Sequence, residues 1–165
     1  MGGWNMNFKK ILMVIFMILG LGLAAGCGGS AASPTPAKST AQQQASLSGK
    51  KVLIAYFSWS GNTKAAAEKI QGLTGGDIYR IEAADPYPGE YDATTDRAKQ
   101  EQKDNARPAI AGKADLSKYD VIMVGYPIWW YQEPMIIDTF LESGDFSGKT
   151  IVPFCTSGGS SIDKS

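Results

Sequence analysis

The sequence predicts an α/β fold with a parallel sheet. Two near-continuous apolar runs, Lys51 to Phe57 and Val121 to Gly125, fit strands covered on both faces. Between the apolar runs lie segments of helical period, so strand and helix alternate along the chain. There are no internal repeats, and the 116 residues from Lys50 to Ser165 have room for one domain.

The elements follow in order. Lys9 and Lys10 precede an uncharged apolar run from Ile11 to Gly26. At ~1.5 Å per residue that run reaches about 24 Å, short of a ~30 Å hydrocarbon core. A positive flank, a short apolar stretch and small residues at its end describe a secretory signal peptide over residues 1–26. The end, Leu23-Ala24-Ala25-Gly26-Cys27, resembles the lipobox of bacterial lipoproteins. That resemblance implies a lipidated Cys27 as the mature N-terminus. The protein would then be held to the membrane through Cys27, on the extracytoplasmic side of a bacterial cell envelope. Residues 27–49 are Gly, Ser, Ala, Thr, Pro and Gln with one charge, Lys38, and read as a flexible linker spanning roughly 25 Å.

The domain then occupies 50–165. Its first strand is Lys51 to Phe57. A helix from Lys64 to Leu73 carries Ala66, Ala67, Ile70 and Leu73 at helical spacing, with Gly75 and Gly76 as its stop. Ile78 to Ile81 is a short second strand. A long polar stretch from Ala83 to Lys118 contains a solvated helix over Asp92 to Asn105. Val121 to Gly125 is the third strand. Pro134 suits the first turn of a helix reaching Leu141, because its missing N–H is not needed there. Thr150 to Cys155 is the fourth strand, and Pro153 within it removes a ladder donor. With Cys27 lipidated, Cys155 forms no internal disulfide and reads as a buried structural thiol.

Charge and composition exclude several function classes. After Gly49 the chain has 13 basic and 16 acidic residues, which argues against a non-specific nucleic-acid binder. It has no His, which excludes Ser-His-Asp and Cys-His nucleophile systems and the common zinc sites; no metal is expected. Chemistry is left to carboxylates, hydroxyls, one cysteine or a cofactor.

Ligands of open parallel sheets bind beyond the C-terminal ends of the strands, and three loops there are unusual. Ser58-Trp59-Ser60-Gly61-Asn62-Thr63 offers hydroxyl and amide groups, a glycine and a helix N-terminus, a combination that holds a phosphate without lysine. Tyr126-Pro127-Ile128-Trp129-Trp130-Tyr131 is an aromatic cluster after the third strand. Adjacent tryptophans cannot both face a core, so it reads as a binding surface. Thr156-Ser157-Gly158-Gly159-Ser160-Ser161 lets backbone approach a flat ligand. Together the loops describe a planar, phosphorylated ligand.

From Lys51 to Ser161 the chain resembles the flavodoxins. The resemblance implies a three-layer α/β/α sandwich with a parallel sheet of order 2-1-3-4-5, and FMN as the cofactor. It implies that Ser58, Ser60, Gly61, Asn62 and Thr63 hold the FMN phosphate, with Trp59 beside them among the cofactor-binding residues. Pro127, Ile128, Trp129 and Trp130 would line or stack on the isoalloxazine, as in a subfamily with a Pro-Ile-Trp-Trp segment, with Tyr126 beside them among the cofactor-binding residues. Thr156, Ser157, Gly158 and Gly159 would meet the flavin's pyrimidine edge. Asp104 to Ile110 also resembles that subfamily and is read as surface structure. Many flavodoxins have a Gly in the second loop, where the chain turns over to favour the one-electron-reduced flavin. Here Ile128 stands in that region, implying that this state is less favoured. The expected fifth strand lies outside the sequence. The domain is therefore read as incomplete at its C-terminus, with strand four an uncovered edge and either poor solubility or weak FMN binding expected.

The function so implied is that of a lipid-anchored FMN electron carrier serving an unspecified redox partner protein, with no catalytic side chain required. Two alternatives stay open. One is an FMN-dependent NAD(P)H or quinone oxidoreductase on the same fold. The other is a non-redox phosphate- or nucleotide-binding lipoprotein whose tryptophans only pack.

Overall fold

The computed structural model describes Leu47 and residues 49–165. The leader, Cys27 and, apart from Leu47 and Gly49, the linker lie outside the described residues. The domain contains β1 (Val52–Tyr56), α1 (Asn62–Thr74), β2 (Asp77–Arg80), α2 (Tyr91–Lys103), β3 (Val121–Pro127), α3 (Met135–Glu142), β4 (Thr150–Thr156) and a closing 3-10 turn, Ile162–Lys164.

The four strands form one parallel sheet in the order β2-β1-β3-β4. This is the strand order expected for its first four strands. Every residue of β1 is buried, as its unbroken apolar run requires. Its side chains alternate between faces. Leu53, Ala55 and Phe57 join Ile122, Val124, Ile136, Ile137 and Phe140 on one face. Val52, Ile54 and Tyr56 join Ala67, with Ile70 against them, on the other. Helices α1 and α3 therefore cover opposite faces, giving the three layers.

Element ends depart from the sequence reading for local reasons. Helix α1 begins at Asn62 rather than Lys64, because Gly61 turns the chain at φ 89°. Pro134 stands just outside α3 rather than in its first turn, since its ψ of 142° is extended. Helix α2 stops short of Asn105, which takes a left-handed φ of 48°.

Strand β4 is an edge, which is where Pro153 is tolerated. Ile151 and Val152 on it are exposed. Cys155 is half-buried, not fully buried, because it shares that edge.

Candidate functional site

All four strands are parallel, so the loops after β1, β3 and β4 leave the same end of the sheet. Two hydrogen bonds tie them together. Thr63 Oγ1 and Thr156 Oγ1 share one at 2.8 Å, linking the start of α1 to the end of β4. The Ile128 N–H donates to the Thr156 carbonyl at 2.9 Å, linking the second loop to the third.

In the first loop, the buried Ser58 does not point to solvent. Its Oγ accepts the Lys64 N–H at 3.2 Å and so ties the loop to the first turn of α1. Asn62 Nδ2 donates to Ser60 Oγ at 3.2 Å, and both residues are exposed. The first-turn N–H groups of a helix have no intrahelical acceptor, and the helix dipole adds partial positive charge there. A side chain at Gly61 would meet no atom within 4 Å, and the same holds at Gly158 and Gly159. These three glycines therefore face space that a ligand can occupy.

Trp59 turns away from the phosphate-type groups. Its Nε1 donates to the Pro88 carbonyl at 2.8 Å, which pins the first loop to the segment before α2.

The second loop divides its tryptophans. Trp129 packs inward, its ring centroid 5.4 Å from Phe57 and 5.3 Å from Tyr87. Trp130 is 45% exposed. Reciprocal bonds between Trp129 and Gln132, at 2.9 and 3.2 Å, close a two-residue turn. Its central residues, Trp130 and Tyr131, have φ of 49° and 72°. Left-handed pairs normally take Asn-Gly, and each bulky residue held so costs on the order of 1–3 kcal/mol. Ile128 is not among the residues with positive φ. The left-handed backbone of this loop sits at Trp130 and Tyr131. Tyr126 is buried in the core cluster, and Pro127 pairs with Thr156 at the end of the sheet.

In the third loop, Ser157 Oγ accepts the N–H groups of Gly159 at 3.0 Å and Ser160 at 2.6 Å. Gly159 takes φ 147°, which only glycine adopts readily.

An open cleft of about 250 Å³ gathers Trp59 from the first loop, Ile128, Trp129, Trp130 and Tyr131 from the second and Ser160 from the third. Its remaining wall is helix α2, through Tyr91, Thr94, Thr95 and Ala98. Sequence reasoning missed that wall, having treated α2 as solvated. The signal was present in the spacing of Tyr91, Thr94, Thr95 and Ala98, one helical face of small and aromatic residues.

Behind the cleft, Tyr87 donates its hydroxyl to Glu101 Oε2 at 2.7 Å, and the Arg97 guanidinium lies 4.2 Å from its ring centroid. Burial, followed by the bond to Glu101, pushes the Tyr87 phenol well above its ordinary range. It is a neutral packing residue that props Trp129.

Comparison with known proteins agrees with this layout. The family model for flavodoxin matches residues 51–165. A Bacteroides eggerthii protein described as a flavoprotein is 47% identical, with a TM-score of 0.67 over 70% of this chain and 76% of its own. A Bacteroides uniformis protein described in the same way is 43% identical, with a TM-score of 0.66 over 71% and 78%. A Lactobacillus acidophilus flavoprotein solved in complex with FMN is 31% identical, with a TM-score of 0.62 over 67% and 76%. Comparison with curated proteins finds no match. On the family match over most of the domain, with the sheet order and the loop sites beside it, this chain belongs to the flavodoxin family.

Proposed function

We propose that this protein binds FMN at the C-terminal end of its sheet and works as an electron carrier, held to a membrane by lipid on Cys27. The observation that carries the reading is the convergence of three loops on one cleft, fastened through Thr63, Ile128 and Thr156. The FMN complex of the L. acidophilus relative supports it.

The donor set fits the group. An anionic phosphate suits the N-terminus of α1 with Ser60, Gly61 and Asn62, where no lysine is needed. A flat ring suits the cleft between Trp59, Trp129 and Trp130, with Gly158 and Gly159 leaving open backbone beside it. When bound, the flavin supplies reversible one- and two-electron chemistry. The protein's own part is to hold the phosphate, orient the ring and exclude water from its faces.

The test is direct. The full-length protein, given FMN and desalted, should remain yellow, and FMN should quench its tryptophan emission. A colourless protein with unchanged emission overturns the flavin reading. NAD(P)H oxidation without an added reductase would replace the carrier role with the oxidoreductase one. Lipid attachment is checked separately: labelled fatty acid should enter the expressed protein and fail to enter Cys27→Ala.

A further inference from the structure

Helix α2 grips the second loop from one face. Thr95 and Gln102 stand seven residues apart, two helical turns, and so lie on the same side of the helix. The Thr95 carbonyl accepts Trp130 Nε1–H at 3.0 Å, and Gln102 Nε2 donates to the Trp129 carbonyl at 2.9 Å. Between them Ala98 is buried, and its small side chain lets the loop approach. Lys99 Nζ sits 5.1 Å from the Trp130 ring centroid. Gln102 thus bonds the loop backbone from α2, at the peptide leading into the left-handed pair Trp130 and Tyr131.

We propose that Gln102 is a positioning residue for the cleft: by donating to the Trp129 carbonyl it holds the Trp130–Tyr131 turn in its left-handed form, so that the aromatic wall stands before a flat ligand arrives. The inference rests on the reading of this cleft as the flavin site. Bulky residues persist in left-handed backbone only where their surroundings over-determine it. The two bonds between Trp129 and Gln132 belong to any two-residue hairpin turn and do not single out this conformation. The additional donor comes from α2. Without it the turn can relax, and ligand binding must then supply the ordering, which lowers affinity by the fraction of protein in the competent form.

Three variants of the full-length chain test this. Gln102→Met keeps length and loses the donor. Gln102→Glu keeps shape and, ionised, only accepts. Gln102→Lys keeps a donor on a long stem. FMN affinity is read from tryptophan quenching, and the turn itself is read without FMN from chymotrypsin cleavage after Trp130 and Tyr131. The first two variants should bind FMN on the order of tenfold more weakly and be cleaved faster, while Gln102→Lys restores both. Gln102→Met and Gln102→Glu should melt a few degrees lower, because a bond of the folded state is lost, and Gln102→Lys should recover that as well. Wild-type affinity and cleavage in Gln102→Met overturn the proposal. Equal losses in all three with lowered melting temperatures also overturn it, since that marks a structural role. If the wild type binds no FMN, the flavin reading fails, and the cleavage comparison still decides the role of Gln102.

Discussion

Thr63 Oγ1 lies 2.8 Å from Thr156 Oγ1, and that bond joins two loops 93 residues apart in sequence. Thr63 is 1% exposed, at the first turn of α1. Thr156 also gives its carbonyl to the Ile128 N–H, so one residue at the end of β4 fastens all three loops of the site. The geometry of the cleft depends on hydroxyls that propensity treats as interchangeable surface groups.

Thr63→Val keeps the shape and deletes the bond. It should cost about 1 kcal/mol, because the partner hydroxyl is only half-buried and water can reach it. Thr156→Val should cost more, about 1–3 kcal/mol, because it leaves the buried Thr63 hydroxyl without its partner. The double variant should cost clearly less than the two together, since each single change already breaks the same bond. Urea unfolding of the four proteins measures this. Strict additivity would show that the two hydroxyls are not coupled.

The left-handed pair in the second loop gives an opposite expectation. Replacing Trp130-Tyr131 by Asn-Gly supplies the residues a turn of this kind favours. Stability should rise by about 1–2 kcal/mol, since two strained bulky residues are removed. FMN binding should fall, because the aromatic wall goes with them. A gain in thermal midpoint together with loss of flavin retention is the expected result. A destabilised double variant would show that the aromatic contacts outweigh the backbone strain.

Alkaline stability should depend on Tyr119. Its hydroxyl donates to Asp77 Oδ2 at 2.8 Å, joining the segment before β3 to β2. Burial, and then the bond and charge of Asp77, push its pKa up to about 12. The unfolded value is near 10. A group raised on folding contributes in full below its unfolded pKa, and the contribution drains as pH rises through the folded one. The window is therefore roughly pH 10 to 12. Tyr119→Phe should flatten part of the decline in urea midpoint across that window. Burial also raises Tyr56, Tyr79 and Tyr126, so some slope should remain. Identical slopes in both proteins would count against the assignment.

The sheet was legible in the sequence because its buried strands announce themselves. Val52 to Tyr56 and Val121 to Val124 are apolar on both faces, as strands of a sheet covered on both sides are. The loops were legible as well, since Gly61, the Trp pair and Gly158-Gly159 are poor choices for plain turns. What the sequence hid was the role of α2. Gln102, Thr95 and Lys99 are ordinary surface residues of a polar helix, and their value comes from contact with a loop more than 25 residues away. The split between Trp129 and Trp130 was hidden for the same reason. Adjacency showed that both could not face inward, but only packing against Phe57 and Tyr87 selects which one does.

Gly125 offers the sharpest test of packing under the site. It lies in β3, between Tyr56 on β1 and Phe154 on β4. A Cβ built there would fall 2.1 Å from Cζ of the Phe154 ring and 2.4 and 2.7 Å from its two Cε atoms. The ring thus occupies the space that glycine leaves. Gly125→Ala must displace Phe154, and overpacking of this kind costs about 1–3 kcal/mol. Phe154 is on an edge strand and half-buried, so the ring has somewhere to go and the lower half of that range is expected. Displacing it disturbs β4 one residue before Cys155 and two before Thr156, so FMN affinity should fall with stability. Gly125→Ala combined with Phe154→Leu should recover most of the stability, because the smaller side chain vacates the contested volume. Recovery of stability with lasting loss of affinity would place the ring itself among the supports of the third loop. No recovery would mean that the added methyl strains the β3 backbone and not its neighbour.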